Sequence, residues 1–425
     1  MRILRTTGRT AKSTATLLAQ LERRGSVSLD TVLPTVRKIL REVKTKGDLA
    51  LLRYATKFDH LAPDTPLLVP AEETAAAWQA LDPTLQRALQ IAVKNIRSFA
   101  QKQLPKSWQA QKDGLTTGQL VRPIASVGCY VPGGRHPLPS TMLMTVIPAQ
   151  VAGVPRIVVT SPNPAPETLA TAHLLGITEF YRIGGAHAIA ALAYGIASIP
   201  KVAKIVGPGN LYVTAAKREV SSDPVAPCAI DMLAGPTEIV VTSDLGRAEF
   251  MASDLVAQAE HDPEALAIFI TTNETLAEAV LAETKLRAAQ NPIAKESIRN
   301  NGYIFLASTP EEAHEITNRL APEHLTVDSE ADLAWVQNAG SIFIGEHSPQ
   351  PMGDYISGPN HTLPTGAQAT LRGGLSVNDY LKLITLQHYT PAALAAVGPH
   401  AIRLAQAEGL TAHAQAIEAR TASSS

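Results

Sequence analysis

Cysteine is scarce in this chain of 425 residues, and its scarcity excludes several kinds of protein. The two cysteines, Cys129 and Cys228, cannot build a disulfide framework or a zinc site of four cysteines. Disulfide-stabilised proteins belong to oxidising compartments. We therefore expect this protein to work in the reducing cytoplasm.

An excess of charge of one sign is also absent. The 37 lysines and arginines nearly balance the 38 aspartates and glutamates, whereas a nucleic-acid partner calls for a basic excess. No apolar run reaches the length of about 18 residues that a membrane-spanning helix needs. We expect neither a nucleic-acid partner nor a membrane partner.

The first twenty residues, MRILRTTGRTAKSTATLLAQ, contain no acid and are rich in Ser, Thr and basic residues. Such a composition is similar to that of an organelle transit peptide. The alternative is a helix of the mature protein, because TLLAQLERRG continues an amphipathic pattern and ends on glycine. We favour the helix.

The spacing of apolar residues changes along the chain. Up to about residue 105 they recur every three or four residues, which predicts helices. Beyond that point short β-branched runs alternate with helical stretches, as in RIVVTSP followed by PETLATAHLLGI, and a second such series starts after IDMLAGPTE. This alternation is typical of βαβ units. The predicted fold class is α/β, with two Rossmann-like, mostly parallel sheets.

The same pattern predicts the limits of the domains. They are an N-terminal helical arm (1–25), a first α/β domain (26–120 plus 238–376), a second α/β domain (121–237) and a C-terminal helical tail (377–425).

Glycine-rich turns follow three predicted strands of the second domain, in VPGG (131–134), IGGA (183–186) and VGPGN (206–210). Turns of this kind let a phosphate approach the N–H groups at a helix start. The dinucleotide fingerprint G-x-G-x-x-G is nevertheless missing, because Tyr212 occupies its third glycine position. A nucleotide site and ordinary tight turns explain these glycines equally well.

Polar side chains of catalytic type collect in the second half of the chain. In SDLVAQAEHDPEA, Gln258 and His261 are three residues apart and share a helix face, although a solvated helix end explains them too. In APEHL, Glu323 and His324 are adjacent, so on an extended segment they face opposite ways and can serve different steps. A surface loop is the alternative there.

A metal site can be assembled from these residues and later ones. His261, Asp354 from the loop MGDYISGPNHTLPT, and His413 from the tail, with an oxygen of Gln258 or a glutamate, would suit zinc. The sequence separations carry no ligand-spacing signal, and glutamine is an uncommon zinc ligand. From the residues alone the metal stays open, and the tail residues Glu408 and His413 also fit a solvated helix face.

A series of stretches in order resembles the histidinol dehydrogenase family, from about residue 20 to the end of AHAQAIEAR. The stretches are GCYVPGGRHPLPSTMLM, IGGAHAIAALAYG, KIVGPGNLYVTAAKREV, IDMLAGPTE, AQAEHDP, APEHL, GSIFIG, GDYISGPNHTLPT and LSVNDYLK. Any one of them would be weak, but their order over nearly the whole chain is specific.

The resemblance implies a set of roles for matched residues. It makes Glu323 and His324 the catalytic acid–base pair. The remaining roles are zinc binding by Gln258, His261, Asp354 and His413; substrate binding by these four with Thr237, His324, His361 and Glu408; and cofactor binding by Tyr130, His187 and Asn210.

The resemblance also implies a reaction and an assembly. The family oxidises L-histidinol to L-histidine in two steps with two NAD molecules, through an aldehyde that stays bound, as the last step of histidine biosynthesis. Its tail reaches the neighbouring subunit, so an intertwined homodimer with shared active sites is expected.

Two positions depart from the family's usual pattern. His187 stands where Gln is usual, which leaves one contact to the cofactor to be lost or remade, and Thr237 stands where Ser is more common. A relative acting on another small alcohol would lack His361, Glu408 and His413, and a non-catalytic relative would lack Glu323 or His324. All five are present.

Overall fold

The structure is a computed structural model that describes residues 1–24, 29–62, 64–133 and 137–421. Within these residues, no helix combines the length and the apolar character needed to cross a membrane. Two parallel α/β sheets and one antiparallel sheet are present, with helices near both ends of the chain. The predicted α/β fold class is confirmed.

The N-terminal region consists of one strand and five helices. They are β1 (Arg2–Arg5), α1 (Ala11–Glu22), α2 (Leu33–Lys46), α3 (Asp48–Phe58), α4 (Ala71–Ala80) and α5 (Pro83–Lys102). The arm predicted as helical over 1–25 therefore begins with a strand, which pairs in parallel with residues 303–306. Four residues are too few for the apolar spacing to separate a strand from a helix.

A hairpin follows, made of β2 (Trp108–Lys112) and β3 (Leu115–Pro123). Its turn is Asp113-Gly114, with φ of 50° and 79°. Two positive φ values give the turn the twist that paired strands require, and aspartate followed by glycine adopts them readily.

The first parallel sheet has five strands and four connecting helices. They are β4 (Val127–Tyr130), α6 (Pro139–Ala152), β5 (Ile157–Thr160), α7 (Pro166–Leu174), β6 (Glu179–Tyr181), α8 (Gly185–Tyr194), β7 (Lys204–Val206), α9 (Leu211–Ser221) and β8 (Ala229–Ile230). The strand order is β6-β5-β4-β7-β8. The direction of winding reverses between β4 and β7, so a crevice opens beyond their carboxyl ends.

The second parallel sheet has six strands, β1 among them. Its other elements are β9 (Glu238–Thr242), α10 (Ala248–Ala259), β10 (Leu266–Thr271), α11 (Glu274–Ala288), α12 (Pro292–Asn301), β11 (Gly302–Leu306), α13 (Pro310–Leu320), β12 (His324–Val327), β13 (Ser341–Ile344) and the following α14 (Pro351–Tyr355). The order is β1-β11-β10-β9-β12-β13. The winding reverses between β9 and β12, as it does in the first sheet.

The tail comprises β14 (Leu381–Tyr389), α15 (Pro391–Ala407) and α16 (Thr411–Thr421). It was predicted as helical over 377–425, but β14 pairs antiparallel with β3 along nine residues. The two tail helices pack against each other so closely that a Cβ on Gly398 would lie 2.9 Å from the side chain of Thr421. Residues 422–425 lie outside the described part.

The helices α2 and α3 pack on the five-stranded sheet rather than on the six-stranded one. In α2, Val36, Ile39, Leu40 and Val43 fall on one face, and all four are buried. They share an apolar core with residues of α8, α9 and the strands β5 and β7. The predicted domain limits stay a prediction, and this packing favours grouping α2 and α3 with the second α/β domain.

The hairpin turn gives a test of how the tail is docked. Gly114 has φ 79°, and a Cβ there would contact Thr390 and lie 3.0 Å from Ala393; Gly153 has the same φ but nothing within 4 Å. We expect Gly153→Ala to lower the free energy of unfolding by about 1 kcal/mol through backbone strain. Gly114→Ala should cost about 1–3 kcal/mol more because of overpacking.

Urea denaturation of the two variants measures this difference. Equal losses of stability would show that the start of α15 shifts to accommodate the added methyl group. The tail would then be docked loosely on the turn.

Candidate active site

Glu323 and His324 lie where α13 leads into β12, at the amino edge of the six-stranded sheet. Ala321 ends α13 in the left-handed conformation, with φ 45°, which turns the chain toward the strand. Because β12 pairs in parallel with β9, the two side chains lie beside Thr237 and Glu238 at the start of β9.

The carboxylate of Glu323 is fixed by two donors. Its Oε2 accepts a hydrogen bond from the hydroxyl of Thr237 at 2.6 Å and from the N–H of Glu238 at 2.8 Å. Burial raises the pKa of Glu323 to about 7, against the lowering effect of the neighbouring His324 and of the two donors. A carboxyl that titrates near neutrality can both take up and release a proton.

The ring of His324 is oriented by the same residue. Its Nδ1 lies 3.2 Å from the carbonyl oxygen of Glu238. Nδ1 also lies 3.3 Å from the amide nitrogen of Gln258, so the carbonyl calls for a proton on Nδ1 while the amide calls for an electron pair there. Burial lowers the pKa of His324, but Glu323 and Asp354 outweigh burial and raise it above its ordinary value. Nε2 lies 3.7 Å from Oδ1 of Asp354.

An ion pair holds Glu238 itself. Nε and Nη2 of Arg24, from the N-terminal arm, each lie 2.6 Å from one of its carboxylate oxygens. Nη2 also donates to the carbonyl oxygen of Leu320 at the end of α13. This buried two-point contact ties α13 to β9 and fixes the backbone that orients the two candidate catalytic side chains.

Gln258 points into the same cluster from the last turn of α10. It is 1% exposed, and its amide nitrogen donates to the hydroxyl of Thr237. Its Oε1 is buried and has no hydrogen-bond partner among the described residues. A buried acceptor without a partner is costly. A cation at this point would satisfy it.

Asp354 and His361 adjoin the cluster from the loop after β13. Nδ1 of His361 lies 2.8 Å from the carbonyl oxygen of Asp354, and the amide nitrogen of Gln350 donates to Oδ2 of Asp354 at 3.0 Å. Burial alone would raise the pKa of Asp354, but His324, His361 and His261 lower it below its ordinary value. The four groups therefore share one electrostatic environment.

His261 is exposed at the end of α10. Its Nδ1 lies 3.1 Å from the carbonyl oxygen of Ala257, so Nδ1 carries the proton and Nε2 is available as a metal ligand. With Oε1 of Gln258 and the carboxylate of Asp354, one chain supplies a nitrogen and two kinds of oxygen, a donor set that zinc accepts. The unpartnered Oε1 fits such a cation.

Two residues predicted for this site belong to the tail. Glu408, at the end of α15, and His413, on α16, are both exposed. Over the described ranges, no three or more His, Cys, Asp or Glu side chains are grouped so that they could hold a metal. The three donors named above leave a fourth position of a tetrahedral zinc site for a further ligand.

A pocket of about 280 Å³ adjoins the cluster. Its lining includes His324, His361, Phe343 and Asn360, and the ring of Phe343 stacks on that of His324 at 6.0 Å between centroids. The pocket presents aromatic and polar groups beside the ring of His324, which suits a small polar substrate.

The three predicted cofactor residues line a second cleft, of about 540 Å³. Tyr130 ends β4, His187 lies in the first turn of α8, and Asn210 caps α9, so the cleft occupies the crevice where the winding of the five-stranded sheet reverses. Burial, with a smaller contribution from Asp59, raises the pKa of Tyr130 to about 12, so its hydroxyl keeps a proton to donate.

The helix starts facing this cleft are largely occupied by the protein's own side chains. Asp59 accepts from the N–H of Gly184 at 2.9 Å, and the Tyr130 hydroxyl accepts from that of Gly185 at 3.0 Å. Oδ1 of Asn210 accepts from the first turn of α9 at 3.0 and 3.1 Å. These four N–H groups are not available to a phosphate.

Packing explains two of the glycines in these turns. A Cβ on Gly184 would lie 2.5 Å from Pro162, and Gly207, at φ 110°, abuts the backbone of Tyr130. Close approach, rather than phosphate binding, requires glycine at both positions. Gly134 of the VPGG turn lies outside the described residues.

Three residues of these sites were not found from the sequence. Glu238 adjoins Thr237 in GPTE. The available signal was the presence of a charged residue inside a buried strand. Arg24 and Asp59 come from segments more than a hundred residues away from their partners, and no local pattern indicates their role.

The ion pair of Arg24 gives a test. Replacing Arg24 by Ala leaves Glu238 buried without its cation, and we expect the free energy of unfolding to fall by about 3 kcal/mol. The exposed pair of Arg5 with Glu274 provides the control, and Arg5→Ala should change stability little. Chemical denaturation measures both, and a loss as small as that of Arg5→Ala would contradict the role given to Arg24.

Comparison with known proteins identifies the family. The family model described as histidinol dehydrogenase matches residues 22–421. Histidinol dehydrogenase of Bacillus thuringiensis is 45% identical over 417 residues, covering 95% of this chain and 96% of the relative. That of Listeria innocua is 44% identical over 421 residues, covering 96% and 97%.

A solved structure gives the same result. The crystal structure of histidinol dehydrogenase from Elizabethkingia anophelis superimposes with a TM-score of 0.93 at 34% identity, covering 100% of this chain and 98% of the other. The chain belongs to the histidinol dehydrogenase family, which are oxidoreductases of histidine biosynthesis.

Proposed function

We propose that this chain acts in the cytoplasm as a homodimer that oxidises L-histidinol to L-histidine in two NAD-dependent steps through bound histidinal. The observation that supports it most is the pairing of two different bases on the backbone of one residue. The N–H of Glu238 holds Glu323 and its carbonyl oxygen holds His324. Two oxidations need two proton acceptors in turn.

His324 is suited to the first step. His324 lines the pocket, and with the ring proton on Nδ1 and donated to the carbonyl of Glu238, Nε2 can take the proton of the substrate hydroxyl as hydride leaves the carbon. Bound NAD supplies the hydride acceptor. The contact of Nδ1 with Glu238 keeps the ring from rotating away.

Glu323 is suited to the second step. A carboxyl with a pKa of about 7 is partly ionised at neutral pH and can take a proton from the water that adds to the aldehyde. The hydroxyl of Thr237 donates to its Oε2 and leaves Oε1 to face the water. The second hydride then leaves from the hydrated aldehyde.

Gln258, His261 and Asp354, with His413 from the partner, would hold zinc. Bound zinc supplies a fixed positive charge that orients the imidazole and amine of histidinol. On the protein side, His361 is placed to contact the substrate by its bond to the backbone of Asp354. The orphaned Oε1 of Gln258 supports a cation here.

The exposed apolar side chains of the tail support the shared active site. Leu383 on β14, Val397 and Leu404 on α15, and Leu410 before α16 are 58, 47, 68 and 42% exposed. Large apolar groups concentrated on one region mark a surface that a partner covers. With the tail across a dimer, Glu408 and His413 would complete the partner's site.

The stoichiometry of NADH tests the reaction. Purified protein with zinc should yield two NADH for each L-histidinol. Glu323→Gln should slow the second step about a hundredfold, so that one NADH forms and histidinal accumulates, because the base for water addition is gone. His324→Asn should slow the oxidation of histidinol itself, measured by absorbance with histidinol and with histidinal as separate substrates.

Equal loss of activity with histidinol and with histidinal in Glu323→Gln would contradict the assignment of His324 to the first step and Glu323 to the second. Failure of the unsubstituted protein to produce any NADH from histidinol would overturn the proposed function.

Mixing of variants tests the shared site. His413→Ala and Glu323→Gln should each form almost no histidine, but a refolded equal mixture should recover about a quarter of the histidine-forming activity, since each hybrid dimer holds one intact site. Zinc content should fall in His413→Ala and stay near one per chain in Glu323→Gln. No recovery on mixing would mean that both residues serve the site of their own chain.

A further inference from the structure

Asp59 and His187 form a buried pair on the wall of the cofactor cleft. Asp59 follows the last residue of α3, and His187 lies on α8. Nε2 of His187 lies 2.7 Å from Oδ2 of Asp59, and the two residues are 1% and 8% exposed. Both line the cleft of about 540 Å³.

The hydrogen-bond pattern assigns the proton between them. Oδ2 of Asp59 already accepts from the N–H of Gly184, so it is placed as an acceptor. Nε2 of His187 is then the donor, because two acceptors 2.7 Å apart would repel each other. A ring with a single proton therefore carries it on Nε2 and keeps an unshared electron pair on Nδ1.

Neighbouring rings restrict how His187 can turn. The ring centroids of Tyr54 and Phe58 lie 6.0 and 6.1 Å from that of His187. Nδ1 lies on the side of Gly185, where a Cβ would be 3.4 Å away, and Gly185 lines the cleft. Of the two ring nitrogens, Nδ1 is the one free to meet a ligand.

We propose that Asp59 is a positioning residue that fixes the tautomer of His187, so that Nδ1 accepts a hydrogen bond from a donor of the dinucleotide. The matching donors are its amide or amino N–H groups and its ribose hydroxyls. The inference rests on the proposed function, since it requires the dinucleotide to bind in this cleft. A glutamine at this position can present either a donor or an acceptor, whereas His187 held by Asp59 presents only an acceptor.

Nitrogen-15 NMR of the full chain labelled at histidine tests the tautomer directly. Twelve histidines are present, and the signal of His187 is identified by its loss in His187→Gln. Above neutral pH we expect Nε2 protonated and Nδ1 unprotonated, and the Nδ1 signal should move when NAD is added. A proton on Nδ1, or no movement at saturating NAD, overturns the proposal.

Asp59→Ala should release the tautomer, because it removes the oxygen that contacts both the N–H of Gly184 and Nε2 of His187. The ring proton can then lie on Nδ1, where it faces the donor of the dinucleotide. The dissociation constant of NADH, followed by its fluorescence, should rise about tenfold, because a donor then faces a donor. Asp59→Asn is the matched control: its carbonyl oxygen can accept both bonds, so the dissociation constant should change less than about twofold. In a His187→Gln background Asp59→Ala should also matter less than about twofold, since glutamine can present either group.

The outcomes separate the two proposals. A changed tautomer in Asp59→Ala with unchanged NADH affinity would show that the pair is only structural and overturn this inference. Absence of NADH binding by the unsubstituted protein would refute the proposed cofactor site, which the fluorescence titration reveals independently of the ring signals. If Asp59→Ala does not fold, the titration of the unsubstituted labelled protein still decides the matter.

Discussion

The backbone of Glu238 contacts both candidate catalytic side chains at once, and the geometry of the candidate site depends on it. Its N–H orients Glu323 and its carbonyl oxygen contacts His324, while the carboxylate of Glu238 is held by Arg24. A buried ion pair of this kind adds little net stability but strongly penalises any rearrangement that separates the charges. The N-terminal arm therefore helps to fix the geometry of the candidate site through Glu238.

The two parallel sheets share a winding pattern, but the two candidate sites lie at opposite edges of their sheets. The cofactor cleft lies at the carboxyl edge of the five-stranded sheet, in the usual position for a ligand crevice. The catalytic cluster lies at the amino edge of the six-stranded sheet, where β9 and β12 begin. The segment 231–237 runs from the end of β8 to the start of β9, so it connects the two edges directly.

Regular alternation made most of the fold predictable. Strands such as β10, buried at all six positions, and the helices between them follow from apolar spacing. β1 and β14 were missed because their pairing partners lie 300 and 260 residues away, and local sequence carries no trace of such contacts.

The candidate site, like the fold, could be predicted only in part. The spacing of Gln258 and His261 indicated a common face, and the structure has one of them buried in the cluster and the other at its exposed rim. Which groups hold them is decided by tertiary contacts. Asp59, which meets His187 across 128 residues, shows why the partner of a side chain is beyond sequence reasoning.

The occupied helix starts of the cofactor cleft have a kinetic consequence. Four N–H groups that would otherwise grip a pyrophosphate are bound by Asp59, Tyr130 and Asn210. A dinucleotide seated there forgoes much of the anchoring that glycine-rich fingerprints provide. Under the proposed two-step reaction, one dinucleotide leaves and a second binds while the aldehyde stays in place. Weak anchoring would then be an advantage, since rapid departure shortens the time the intermediate waits.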